Sequence, residues 1–152
     1  MEKKAPLAPA RFPDIPAIPG VKIAAGACGI KHEDRKDVLL ATFKSGTQVA
    51  GIFTKSKTEA APVSWSRRQA VSGRARALIV NAGNANAFTG QAGEKSVSRT
   101  VEKGSAVLNI PKTQIFIAST GVIGESLPDD KITKALPDLK KRLGTKNWKN
   151  AA

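Results

Sequence analysis

The sequence predicts an α/β or α+β fold with a mixed or antiparallel sheet, and three observations carry that reading. Short apolar runs of strand length alternate in part with longer segments of helical periodicity. Two early runs, DVLLATFK and TQVAGIFT, are separated only by Ser45-Gly46, a hairpin signal. Hydrophobic residues make up 41% of the 152 positions and are spread along most of the chain, which suffices for a buried core and excludes a disordered class.

Residues 1–20 contain five of the nine prolines and read as an irregular lead-in to a single domain over 21–152. Val21–Gly29 reads as a strand ending in small residues, and His32–Asp37 as a charged turn. The hairpin Asp37–Lys44 and Thr47–Thr54 follows, placing Leu40, Thr42, Val49 and Ile52 in a sheet. Pro62–Val71 has mixed character and holds a short helix, and Arg76–Asn81 is a buried strand by its apolar centre. Asn81–Gly90, NAGNANAFTG, has no periodicity and is rich in residues that favour turns and positive φ, so it reads as a loop. From Gly93, Val97, Val101 and Leu108 recur at spacings of four and seven, one face of a helix that Pro111 ends. Gln114–Ser119 is a short buried strand and Thr120–Gly124 the loop after it. Pro128–Leu143 reads as a helix with Ile132, Leu136 and Leu139 on one side, broken or kinked at Pro137.

Charge and cysteine usage narrow the function. The net charge is +13, and the stretch from Lys131 to Ala152 alone holds seven Lys/Arg against one Asp. Such a chain could neutralise phosphates, which would make it a basic nucleic-acid-binding module. The aromatic residues are not interleaved with the basic ones as a stacking platform requires, so a solvated surface or an acidic partner chain is the better reading. The prolines of the N-terminus interrupt any secretory or amphipathic targeting pattern, and no apolar run is long enough to span a membrane. A cytoplasmic location is the expectation, which the single cysteine fits. One cysteine and one histidine without clustered carboxylates exclude a structural zinc site on ligand count.

Few residues suggest chemistry by themselves. Cys28 and His32 lie four apart, but cysteine and histidine partners are usually brought together by the fold, and Cys28 among Ala and Gly reads as a small buried thiol. GACG and GNANAFTG match neither the phosphate loop nor the dinucleotide fingerprint and read as turns. Ser119-Thr120-Gly121 follows an apolar strand directly, so a hydroxyl and a backbone N–H stand side by side where they could hold a developing oxyanion. On composition alone the common turn is the better reading.

Four blocks alter that balance: GIKHEDRKDVLL (29–40), AGIFTKSKTEAAPV (50–63), RARALIVNAGNANAFTGQAG (74–93) and IASTGVIGESLPDDKI (117–132). Their order and content resemble the ornithine acetyltransferase family, the bifunctional glutamate N-acetyltransferases. The resemblance implies a layered α/β sandwich and a precursor that cleaves itself before a threonine. That threonine, leading the β chain, would be the nucleophile and its own α-amine the base. Acetyl would pass from N-acetylornithine to the threonine and on to glutamate. No bound cofactor is implied, although acetyl-CoA serves many members as a co-substrate. By the same resemblance Thr120 and Gly121 form the oxyanion hole, and the assembly is an α2β2 heterotetramer without nucleic acid or membrane. Ala82 and Phe88 stand where the family loop usually has a serine and a cysteine. The cleavage threonine and the substrate-binding threonine and lysine before it are expected beyond Ala152, so this chain alone should be inactive. A non-catalytic homologue lacking the β portion is the remaining alternative.

Overall fold

The computed structural model describes residues 11–152, and the first half of the proline-rich lead-in lies outside that range. Four strands, β1 (Val21–Gly26), β2 (Val38–Phe43), β3 (Ala77–Asn81) and β4 (Ile115–Ser119), form one sheet in that spatial order. β1, β2 and β3 run antiparallel to one another, and β4 is parallel to β3. With α1 (Ala61–Ala70), α2 (Gly90–Leu108), α3 (Asp129–Lys141) and α4 (Trp148–Ala151), this is the α+β class with a mixed sheet that the sequence predicts.

Side chains alternate across each strand, so one face of the sheet collects Ala24, Leu40, Ile79, Ile115 and Ile117. Onto it pack Val97 and Val101 of α2 and Ile132, Leu136 and Leu139 of α3, all in one continuous core. Each fully buried Leu or Ile contributes about 1.5–3 kcal/mol relative to exposure. Gly104 lets α2 approach closely: a Cβ there would lie 2.9 Å from the Ile79 Cδ1. The opposite face carries Leu39, Leu78 and Val80, which are only half covered.

The edge of β4 is closed by α1. The Ser66 hydroxyl, buried at 7% exposure, donates to the Ile117 carbonyl at 2.7 Å and accepts from the Ile117 N–H at 3.0 Å. The Trp65 indole donates to the Ile115 carbonyl at 2.9 Å. Side chains therefore satisfy backbone groups that an open edge strand would present to solvent. At the other edge, Ile23 and Gly144 exchange hydrogen bonds of 2.9 and 3.1 Å.

Two expectations are corrected. Thr47–Thr54 is not the second arm of a hairpin: β2 has β1 on one side and β3 on the other, so neither of its edges is open to Thr47–Thr54. The segment makes one bridge, Gln48 to Arg74, then leaves the sheet, and Ile52 is fully exposed. α3 is not broken at Pro137. The proline removes one intrahelical donor, but the buried positions on either side of it, Leu136 and Leu139, hold the helix on the core. The basic tail is also less free than a solvated surface. Lys140 donates to the Val107 carbonyl at 2.6 Å, and Arg142 reaches the Ala25 carbonyl at 3.2 Å while pairing with Asp138.

Candidate functional site

β3 and β4 are parallel neighbours, so their C-terminal ends open on the same side of the sheet, and both glycine-rich loops begin there. Asn81 and Ser119 are the last register partners. Beyond them the two loops stay together. The Thr120 N–H donates to the Asn81 carbonyl at 3.0 Å, Val122 to Gly83 at 3.2 Å, Ala85 to Val122 at 2.8 Å and Gly124 to Ala87 at 2.9 Å.

Three asparagines lock this arrangement. The Ser119 hydroxyl meets the Asn81 Oδ1 at 2.6 Å, and the Asn81 amide donates to the Asn84 carbonyl at 2.8 Å. The Asn84 amide donates across to the Glu125 carbonyl at 3.0 Å, while its Oδ1 accepts the Asn86 N–H at 2.7 Å. The Asn86 amide donates to the Gly93 carbonyl at 3.0 Å in the first turns of α2. All three are buried with their polar groups engaged, the condition under which a buried amide network fixes one conformation. Sequence reasoning took these asparagines only as turn formers. The signal available was their density, which does not distinguish a turn from a buried network.

Thr120 and Gly121 sit on the outside of this scaffold, and both are exposed. Among the described residues neither the Thr120 hydroxyl nor the Gly121 N–H is engaged in a hydrogen bond. Gly121 adopts φ +133°, and a Cβ on it would lie 2.5 Å from the Asn84 nitrogen and also overlap the Gly83 carbonyl carbon. Only glycine permits the two loops to approach this closely. The arrangement offers two unpaired donors of different kind on adjacent residues, held from behind by backbone.

The other candidates separate from this site. The Cys28 thiol is pushed up to about 12 by burial, reinforced by a hydrogen bond to Asp37 and that carboxylate's charge. A thiol so protonated is no nucleophile at neutral pH. His32 is exposed and no hydrogen bond joins it to Cys28. Asp37 instead spends its carboxylate on the backbone, accepting from the Cys28 N–H at 2.7 Å and the Ile30 N–H at 2.6 Å. Ala82 is exposed, and Phe88 is exposed with φ +57°, a left-handed backbone unusual for so large a residue. Among the described residues there is no group of three or more potential metal ligands, and no helix is long and apolar enough to cross a membrane.

Comparison with known proteins agrees with the motifs. The ArgJ family model matches residues 22–152. The arginine biosynthesis bifunctional protein ArgJ of Agrobacterium fabrum is 47% identical over 147 residues, covering 97% of this chain and 36% of the relative. The protein of the same name from Bradyrhizobium diazoefficiens is 50% identical over 131 residues, covering 86% and 32%. The chain thus spans about a third of the length of these curated relatives. Among solved structures, ornithine acetyltransferase from Mycobacterium tuberculosis complexed with ornithine superposes with a TM-score of 0.80 at 33% identity, covering 84% of this chain and 69% of that one. ArgJ of Bacillus halodurans gives 0.74 at 34% identity, covering 78% and 62%. A match along nearly the whole chain, in sequence and in fold, establishes that this chain belongs to the ArgJ family.

Proposed function

We propose that this chain supplies the oxyanion hole of an acetyltransferase of arginine biosynthesis, which moves acetyl from N-acetylornithine to glutamate. The observation that carries the reading is the pair of unengaged donors, the Thr120 hydroxyl and the Gly121 N–H, fixed at the mouth of two locked loops.

In this reading a β chain cut from the same precursor brings an N-terminal threonine to the site, the whole being a cytoplasmic α2β2 assembly. The threonine hydroxyl attacks the acetyl carbonyl, and its α-amine takes the proton. The carbonyl oxygen becomes an oxyanion facing Thr120 and Gly121. Collapse expels the amine of ornithine, which collects the proton, and leaves the acetyl ester on the threonine. The amine of glutamate then attacks that ester through a second oxyanion in the same place. Collapse breaks the bond to the threonine oxygen, which takes back a proton from the attacking amine by way of the α-amine, and releases the acetylated glutamate. Each donor acts where charge develops and interacts weakly with the neutral carbonyl, so it lowers the barrier more than it tightens binding. The basic nucleic-acid reading has only total charge behind it.

Thr120→Ala in the complete, cleaved enzyme deletes one donor and leaves the other. Steady-state kinetics should show kcat reduced on the order of a hundred- to a thousandfold with a modest change in KM. Thr120→Ser should be milder. An unchanged kcat with a raised KM would make Thr120 a binding residue and end the oxyanion assignment.

A further inference from the structure

The loop that carries the two donors leaves β4 at Ser119 and returns to the core at the buried Leu127. Asn84, at 3% exposure, meets that loop at both ends. Its backbone bridges to Thr120 and to Val122. Its nitrogen is one of the atoms on which Gly121 rests, 2.5 Å from where a Cβ of that glycine would be. At the far end of the loop its side-chain amide donates to the Glu125 carbonyl at 3.0 Å and to the Ser126 carbonyl at 3.4 Å. The Oδ1 is occupied too, accepting the Asn86 N–H at 2.7 Å.

We propose that Asn84 is a positioning residue of the oxyanion hole: by tying the end of the donor loop back to its start, its amide fixes where the Thr120 hydroxyl and the Gly121 N–H point. The proposal rests on the oxyanion reading above. Asn84 lies behind the donors and acts only through them. An amide suits the task because one planar group supplies an acceptor for Asn86 and an N–H pair for two carbonyls. Aspartate has the same shape but only acceptors when ionised, and it would turn an oxygen towards both carbonyls. Gly121 and Gly124 both have positive φ, so the untied loop has backbone freedom to drift.

The test is steady-state kinetics on the complete, cleaved enzyme carrying Asn84→Asp or Asn84→Ser, each alone and combined with Thr120→Ala. Circular dichroism and thermal melting establish that each variant is folded, and the serine variant serves if the aspartate one is not. Both should lower kcat roughly tenfold or more with little change in KM, since a misplaced donor costs rate. Their effect should be smaller in the Thr120→Ala background, where one of the two positioned donors is already gone. A folded Asn84 variant with kcat within twofold of the parent would overturn the proposal, as would a raised KM at unchanged kcat. Effects that multiply fully with Thr120→Ala would overturn it as well, because Asn84 would then act elsewhere. Thr120→Ala with an unchanged kcat is the separate result that removes the oxyanion reading, and this proposal with it.

Discussion

Gly121→Ala tests whether the two loops must touch for the site to work. The added methyl would lie 2.5 Å from the Asn84 nitrogen, whereas ordinary contact begins near 3.4 Å. One loop has to move by roughly 1 Å, and φ +133° is strained for any residue with a side chain. The neighbour is backbone, so no rotamer change can relieve the overlap. A displacement of about 1 Å at a positioned donor costs on the order of a hundredfold in rate. Overpacking of this kind costs about 1–3 kcal/mol of stability. The expected result in the complete enzyme is therefore kcat lowered roughly a hundredfold with a lowered Tm, read by steady-state kinetics and thermal melting. A variant within twofold of the parent in kcat would refute the claim that close loop contact sets the donor geometry, whatever its Tm.

Ser66→Ala should orphan both backbone groups of buried Ile117, at about 1–3 kcal/mol each, partly relieved by water, and lower Tm by several degrees without changing the site loops. A Tm within 1 °C of the parent would show that α1 does not hold the edge. Asp129 gives a pH dependence. Burial acts to raise its pKa, but hydrogen bonds from Arg99 and Ser96 and the Arg99 charge outweigh this and hold the carboxyl below its usual range. A depressed folded pKa contributes stability that is complete above the unfolded value near about 4 and fades as pH falls through the folded one. The Tm gap between the parent and Asp129→Asn should therefore be wide at pH 6 and close towards pH 2. A gap constant with pH would exclude the ionised pair as its source.

What the sequence showed plainly were elements whose pattern and packing coincide. Val97, Val101, Ile132, Leu136 and Leu139 have helical spacing and are all buried in one core. Thr47–Thr54 had the pattern without the opportunity, because pairing depends on which strand edges remain open and not on local alternation. Pro137 shows the opposite error, a local penalty overridden by tertiary contacts on both sides. At the site, Thr120 and Gly121 were visible through a motif, and the structure adds why they stand exposed. The amide network of Asn81, Asn84 and Asn86 was hidden because each bond joins positions whose proximity only the fold creates.

The pairing of β3 with β4 also acts as a ruler. Five matched positions, from Ala77 with Ile115 to Asn81 with Ser119, end on the two residues from which the loops depart. A slip of one residue would carry Thr120 about 3.3 Å along the strand and turn every β4 side chain to the wrong face. The spacing between the donors and the loop behind them is thus measured out by a ladder of main-chain hydrogen bonds. Lengthening either strand by one residue should therefore mis-set the site, while a residue inserted in the exposed turn at His32–Lys36, outside that ladder, should not.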